Sequence, residues 1–161
     1  MSKIKRKINW FDNSLPFDKP LVDTNNITYP SVNHFYYAQM TNVLAKRWHI
    51  ANQATTSMVM RAVEMVEVRP DWMSVRDLVM RTALNYKFAP VTSWALRLRN
   101  TEGEIVNTNN THDVYWGCCE CSQCHNTGRN MLGVMLMNIR SYILSREKKP
   151  VRMTEQRATA T

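Results

Sequence analysis

Apolar side chains recur at helical spacing along much of the chain. The clearest pattern follows Asp71, where apolar residues lie three or four positions apart as far as Tyr86. It predicts a helix over residues 72–88, which Asp71 caps at its start and Pro90 stops just beyond its end. A second strongly apolar pattern predicts a helix that begins after Asn130.

Weaker patterns predict three further helices. Ser31 is a typical N-cap residue, and a helix is predicted to follow it over residues 32–51. Thr55 and its neighbour Thr56 precede a helix that is predicted to reach residue 66. Ser93 is predicted to cap a short helix that ends at residue 99.

The predicted strands are short, and one loop is long. Residues 20–22, 27–29 and 105–106 combine apolar or β-branched side chains with nearby turn residues. With the five helices, they predict a mainly α (α+β) fold, a compact single domain with a few short strands. Residues 107–130 are almost devoid of aliphatic side chains, and a loop of this length is usually functional or mobile.

The composition agrees with one globular domain. The chain has 161 residues, of which 44% are hydrophobic and 21% are charged. Its net charge of +8 lies at the two ends, because residues 1–9 and residues 140–157 each carry four more bases than acids. We therefore predict a domain over residues 8–145 between basic tails at 1–7 and 146–161. Such tails either attract nucleic acid or simply remain solvated, and the sequence is compatible with both interpretations.

The chain contains no sequence that predicts a membrane segment. No apolar run reaches the roughly 18–20 residues that cross a bilayer. The first seven residues are basic, but residues 8–13 are too polar for the apolar core of a signal peptide. We therefore expect a cytoplasmic protein without a membrane partner.

All four cysteines lie within residues 118–124, too close together to form a disulfide framework. Cys121 and Cys124, with Cys118 and His125 beside them, have the chemistry to hold Zn²⁺. A structural zinc site normally draws on two separated ligand pairs, however, and no second cysteine pair is present. The spacing therefore predicts a reduced, cysteine-rich loop that holds no metal.

The long loop also contains the residues best suited to chemistry. Asp113 precedes Trp116 and Gly117, and Gly128 precedes the helix that begins after Asn130. An indole can stack on a base, a carboxylate can stabilise a developing cation, and a helix start preceded by glycine can bind phosphate. This combination would suit cleavage of a ribosyl bond. The alternative is a polar loop that Trp116 merely anchors to the core.

Four segments resemble the motifs of the NADAR family, the YbiA-like N-glycosidases. Residues 28–40 are similar to its Y-P-S-x-E-H-x-x-x-A-x-K segment, and residues 72–88 to its helix that starts with Trp and ends A-L-x-x-K-F. Residues 113–117 match D-x-x-W-G, and residues 128–140 match G-x-N-x-L-G-x-x-L-M-x-x-R. The motifs occur in the family order and together are highly specific.

The resemblance implies a compact helical domain that hydrolyses N-glycosidic bonds. The substrates it implies are ADP-ribose attached to guanine in DNA, or phosphoribosylamino-pyrimidines of the riboflavin pathway. It implies no cofactor and no metal. Carried onto this chain, it makes Asp113 the catalytic residue and assigns ligand binding to Asn33, His34, Met40, Trp72, Trp116, Gly117, Gly128 and Asn130.

The chain departs from the family pattern at three ionisable positions. Asn33 stands where the family has Glu, Met40 where it has Lys, and Asn107 where a Glu is usual. Asn33 and Met40 are predicted on one face of one helix, two turns apart. Two alternatives to hydrolysis therefore stay open: a protein that binds or sequesters an ADP-ribose-like nucleotide, and a nucleic-acid accessory protein that docks on DNA through its basic ends.

Overall fold

The computed structural model describes residues 6–7 and 12–147 of the chain. Within them, six helices and six short strands follow one another in a single domain, which confirms the predicted fold class. In chain order they are β1 (Arg6–Lys7), β2 (Pro16–Val22), β3 (Thr28–Ser31), α1 (Val32–Ala38), α2 (Leu44–Ala51), α3 (Thr56–Glu64), α4 (Trp72–Lys87), α5 (Ser93–Arg99), β4 (Ile105–Val106), β5 (Thr108–Asn109), β6 (Cys118–Cys119) and α6 (Met131–Glu147).

The helix predicted over residues 32–51 is two helices. Ser31 caps α1 as predicted, because its hydroxyl accepts a hydrogen bond from the His34 amide. The chain then leaves the helical path, and the Thr41 hydroxyl accepts a hydrogen bond from the Val43 amide at 3.2 Å. A threonine that bonds to nearby backbone competes with the helix in this way. Helix α2 therefore starts afresh after Val43.

Two of the predicted helix N-caps, Asp71 and Ser93, do not cap their helices in the structure. Asp71 makes no capping hydrogen bond to α4, because its carboxylate forms a two-pronged ion pair with Arg69 at 2.6 and 2.8 Å. Helix α5 is capped by Thr92, one residue before the predicted cap, through a bond from the Ala95 amide to the Thr92 hydroxyl.

The strands form three two-stranded sheets in the described residues. Strands β2 and β3 are antiparallel, whereas β1 pairs with β4 and β5 pairs with β6 in parallel. Strand β1 falls inside residues 1–7, which we predicted as a tail, and α6 runs two residues past the predicted domain end. The rest of both predicted tails lies outside the described residues.

Helix α1 lies at the centre of the fold, where it packs against α2, α3 and α4. The core around it is built from fully buried side chains on several elements, among them Tyr29, Val32, Ile50, Leu84 and Leu136. Helix α6 packs against α5 and β4. Within the described part of the chain, no helix has the length and hydropathy needed to cross a bilayer.

Lys87, the last residue of α4, is only 1% exposed. Its ammonium group donates to the carbonyls of Asp12 and Leu15 at 3.0 and 3.2 Å. It also lies 4.3 Å from the centre of the Trp94 ring, within the range of a cation–π contact. Lys87 thereby holds the segment that precedes β2 against the end of α4.

This burial predicts a pH-dependent stability. It lowers the pKa of Lys87 from 10.5 to about 8, against the opposing charges of Asp12 and Asp18. Between these two pH values the unfolded chain keeps a proton that the folded protein has lost, so the free energy of unfolding should rise with pH. We expect a contribution of about 1–3 kcal/mol across this range.

Denaturant unfolding at several pH values between 8 and 10.5 measures this rise. The variant Lys87→Met, which keeps an apolar stem, should lose the Lys87 contribution. Lys46→Met, at an exposed position on α2, should retain it. Equal pH slopes for wild type and Lys87→Met would contradict the prediction.

Candidate functional site

A cleft of about 520 Å³ is lined by residues from both halves of the chain. Helix α1, the segment before β2, strands β4 and β5, the following loop and helix α6 all contribute to its walls. The lining residues are Asp12, Asn13, Asn33, Tyr36, Tyr37, Met80, Ile105, Asn107, Thr108, Asn109, Asn110, Asp113, Trp116, Glu120, Leu132 and Leu136. Of the predicted site residues, the cleft brings together Asn33, Asp113 and Trp116.

Helix α1 presents one polar face to the cleft. Asn33, Tyr36 and Tyr37 lie at positions i, i+3 and i+4, so they share one side of the helix. The two tyrosines did not emerge from the sequence analysis, although the same spacing, applied to Asn33, would have found them. Asn107, the third departure from the family motifs, also lines the cleft, and it lies between β4 and β5.

Asp113 is held rigidly by the backbone around it. Its Oδ1 accepts hydrogen bonds from the amides of Tyr115 and Trp116 at 3.0 and 2.8 Å. Its own carbonyl accepts a bond from the Asn109 side chain at 2.7 Å. Within the described residues, these bonds leave Oδ2 of the carboxylate available to a ligand or to water in the cleft. Asp113 is thus positioned to meet positive charge that develops on a bound molecule.

Trp116 contacts both the Asp113 carboxylate, through its amide, and helix α1, through its indole. Its indole Nε1 donates to the Tyr36 hydroxyl at 3.2 Å, and the two rings meet edge to face at 5.6 Å. On its other side, Trp116 packs edge to face against Tyr115, whose ring lies 3.7 Å from the Arg76 guanidinium carbon. Trp116 is partly exposed; it lines the cleft and also packs against the core.

The two cleft tyrosines are neutral hydrogen-bond donors at physiological pH. Burial raises the pKa of Tyr36 to about 12. Burial is also the main cause of the raised pKa of Tyr37, and the negative charge of Asp113 adds to it. Both hydroxyls therefore keep their protons beside the carboxylate.

The charged residues that line the cleft are all acids, namely Asp12, Asp113 and Glu120. Its other polar side chains are amides and hydroxyls. Such a lining suits a hydroxyl-rich sugar or a cationic centre, and it repels phosphate. The electrostatics therefore differ from those of the phosphate-binding pocket that the loop sequence suggested.

The amides at the start of α6, predicted to bind phosphate, have hydrogen-bond partners within the protein. The amides of residues 129–132 donate to the carbonyls of residues 114–117, at 2.8–3.4 Å. These carbonyls take up four donors that the helix start would otherwise offer to an anion. These bonds form because the loop folds back onto the helix that follows it, which the sequence pattern does not reveal.

Gly117, Gly128 and Asn130 position this loop without lining the cleft. A Cβ at Gly117 would lie 2.2 Å from the Asn107 carbonyl oxygen, and one at Gly128 would lie 2.0 Å from the Gly117 carbonyl oxygen. Asn130 is buried, and its side chain donates to the Ile105 carbonyl at 2.8 Å while accepting from the Asn107 amide at 2.9 Å. These contacts tie the start of α6 to β4.

Three other predicted binding residues also lie outside the cleft lining. His34 is buried, and its ring nitrogens pair with the Ser31 hydroxyl at 2.8 Å and the Gln53 carbonyl at 3.0 Å. Trp72 is buried and packs against the Tyr36 ring at 5.0 Å. Met40 follows the end of α1 and packs on the core.

The sequence analysis missed the residues that reach the cleft from distant segments. Asp12 and Asn13 are brought there by the contacts of Lys87, more than seventy positions along the chain. The Asn13 Oδ1 atom is buried and has no hydrogen-bond partner among the described residues. Such unpartnered buried acceptors are uncommon in native proteins. Nothing in the local sequence around Asn13 indicates that this residue lines the cleft.

The cysteine loop borders the same wall, and its metal-ligating groups differ from those expected. The ligand atoms of His112, Cys119, Cys121 and Cys124 all lie within 4.8 Å of one another. Cys118 instead directs its thiol to the Gly128 carbonyl at 3.7 Å. The spacing argument against a metal missed His112, because that residue lies outside the cysteine segment.

Residues 4–144 match the family model described as the NADAR domain. The chain is 29% identical over 119 residues to the N-glycosidase YbiA of Escherichia coli, covering 72% of this chain and 71% of that protein. It is 26% identical over 146 residues to an N-glycosidase of Nostoc punctiforme, covering 88% and 89%.

A plant protein and a solved structure extend the comparison. The chain is 29% identical over 150 residues to the chloroplastic riboflavin biosynthesis protein PYRR of Zea mays. The match covers 83% of this chain but only 23% of that longer protein. The NMR structure of E. coli YbiA superimposes with a TM-score of 0.62 at 27% identity, covering 80% of this chain and 74% of that one. The chain therefore belongs to the NADAR domain family.

Proposed function

We propose that the cleft hydrolyses the N-glycosidic bond of a ribosyl adduct, with Asp113 as the catalytic residue. The observation that carries this proposal is the Asp113 carboxylate, held by two backbone amides beside Trp116 and Tyr36. The substrates we propose are ADP-ribosyl or phosphoribosyl adducts of a base, for example ADP-ribose on guanine. The names of the bacterial relatives support hydrolysis of an N-glycosyl bond.

The proposed reaction breaks the bond between C1′ of the ribose and a nitrogen of the base. Positive charge develops at C1′ as that bond lengthens, and the Asp113 carboxylate stabilises it. A water molecule then forms the new C1′–O bond and gives up a proton, while the departing nitrogen takes a proton from solvent. The neutral hydroxyls of Tyr36 and Tyr37 donate hydrogen bonds to the bound molecule.

The acidic lining orients the substrate in this proposal. Phosphate groups would be repelled by Asp12, Asp113 and Glu120, so the ribose enters the cleft and the phosphates stay at its mouth. The exposed part of Trp116 stacks on the base.

A second candidate function is binding without turnover. Asn33 places an amide on the cleft wall where the family pattern has a carboxylate, and Met40 lies outside the cleft lining. An amide can bind a ribose hydroxyl but cannot accept a proton near neutral pH. In this case the protein holds or sequesters an ADP-ribose-like nucleotide.

Calorimetry followed by a product assay separates the two functions. NAD, ADP-ribose and ribose 5-phosphate are titrated into the protein, and ADP-ribosylated guanine in an oligonucleotide is then incubated overnight and analysed for free base. Hydrolysis predicts release of the base, whereas sequestration predicts saturable binding with the adduct intact. Absence of binding for all of these molecules would contradict both functions.

Trp116→Ala tests where the base binds. Loss of the stacking surface should weaken binding of NAD, which carries bases, by about 1–3 kcal/mol, and should affect ribose 5-phosphate much less. Trp48→Ala removes an indole that is 60% exposed on α2, away from the cleft, and should leave binding unchanged. Equal losses for NAD and ribose 5-phosphate would show that Trp116 does not stack on a base.

A further inference from the structure

Four potential metal ligands converge in the loop between β5 and α6. They are His112, Cys119, Cys121 and Cys124, referred to below as the His–Cys cluster. The His112 Nδ1 atom lies 3.4 Å from the sulfur of Cys121 and 3.4 Å from that of Cys124. All four ligand atoms lie within 4.8 Å of one another.

These distances are close to those of a tetrahedral zinc site. With Zn–S bonds of about 2.3 Å and Zn–N bonds of about 2.0 Å, neighbouring ligand atoms lie about 3.5–3.8 Å apart. The two nitrogen–sulfur distances already approach this spacing, and the widest separation in the cluster requires a contraction of about 1 Å. One nitrogen and three sulfur ligands form a common structural zinc set.

The backbone brings these ligands together in a way that their order in the sequence does not suggest. Strand β5 pairs in parallel with β6, which places the chain around residues 108–112 beside the first cysteines. Cys121 and Cys124 form a tight turn, in which the Cys124 amide donates to the Cys121 sulfur at 3.4 Å. An N–H directed at sulfur stabilises a negatively charged thiolate ligand.

We propose that the His–Cys cluster binds one Zn²⁺ as a structural site. Its four protein ligands complete a tetrahedral coordination and leave no open position for a substrate or water. The bound ion cross-links the loop just before Asp113 to the loop that carries Glu120. Because both acids line the cleft, the metal would hold one of its walls in place. This inference does not depend on the proposed hydrolysis.

Metal analysis of the purified, thiol-reduced chain tests the proposal directly. After incubation with Zn²⁺ and dialysis, the wild type should retain about one equivalent. Cys121→Ser and His112→Ala should weaken zinc binding, measured by competition with a chromogenic chelator, by at least about 10–100-fold, the loss that even outer-shell changes cause. Replacement of Zn²⁺ by Co²⁺ should produce the visible bands of tetrahedral cobalt with thiolate charge transfer.

Two matched controls distinguish this ligand set from neighbouring residues. Cys118→Ser removes a cysteine next to the cluster, and His125→Ala removes a histidine next to it, and neither residue belongs to the cluster. Both variants should keep the zinc stoichiometry and the cobalt spectrum of the wild type. The proposal is overturned if the wild type takes up no metal with its thiols reduced, or if the controls lose metal as fully as the cluster variants. An octahedral cobalt spectrum would also overturn it.

Discussion

Replacement of Asp113 by asparagine should lower the rate of base release by about 10²–10⁴-fold, the usual contribution of a general acid–base or electrostatic group. The amide oxygen of Asn can still accept the hydrogen bonds from Tyr115 and Trp116, so the loop should keep its shape. Only the negative charge is removed. We therefore expect kcat to fall while the dissociation constant for ADP-ribose changes little.

A chromatographic assay of free base under single-turnover conditions measures this effect. Asp23→Asn is a matched control, because the Asp23 carboxylate also accepts two backbone amides in a turn but lies outside the cleft. It should retain the wild-type rate. Turnover by Asp113→Asn within tenfold of wild type would show that this carboxylate does not stabilise the transition state.

Asn33→Glu should increase the rate of base release at least about tenfold, if hydrolysis limits the wild type. The substitution returns a carboxyl group to the face of α1 that carries Tyr36 and Tyr37. A further carboxyl group in this acidic cleft has its pKa raised by its neighbours, and a protonated carboxyl can give its proton to the departing base. The gain should therefore be largest at mildly acidic pH and decline as the new group loses its proton.

Met40→Lys tests the second position at which the chain departs from the family pattern. The sequence placed residue 40 beside residue 33 on one helical face, but α1 ends at Ala38 and Met40 packs on the core. A lysine there should give no gain in rate and should lower the free energy of unfolding, because it places a charge against apolar side chains. A gain in rate from Met40→Lys alone, with no gain from Asn33→Glu, would show that residue 40 acts on the substrate and residue 33 does not.

Several features of the protein could be predicted from local sequence. The spacing of apolar residues after Asp71 and the proline at position 90 delimit α4 to within one residue of its observed end at Lys87. The start of α6 after Asn130 was predicted equally well. These signals are local, because helix periodicity and helix stops depend on residues a few positions apart. The break after α1 was missed, because a single threonine hydroxyl there outweighed a weak periodic pattern.

Local sequence was sufficient to predict most of the helices, the family, and a carboxylate and an indole in the long loop. Which groups meet depends instead on the tertiary structure. It places Asp12 at the cleft through the hydrogen bond from Lys87 to the Asp12 carbonyl. It pairs the amides of residues 129–132 with the carbonyls of residues 114–117. It also brings His112 together with three of the four cysteines. Each of these outcomes depends on contacts between segments that fold back on one another, and local spacing contains no information about such packing.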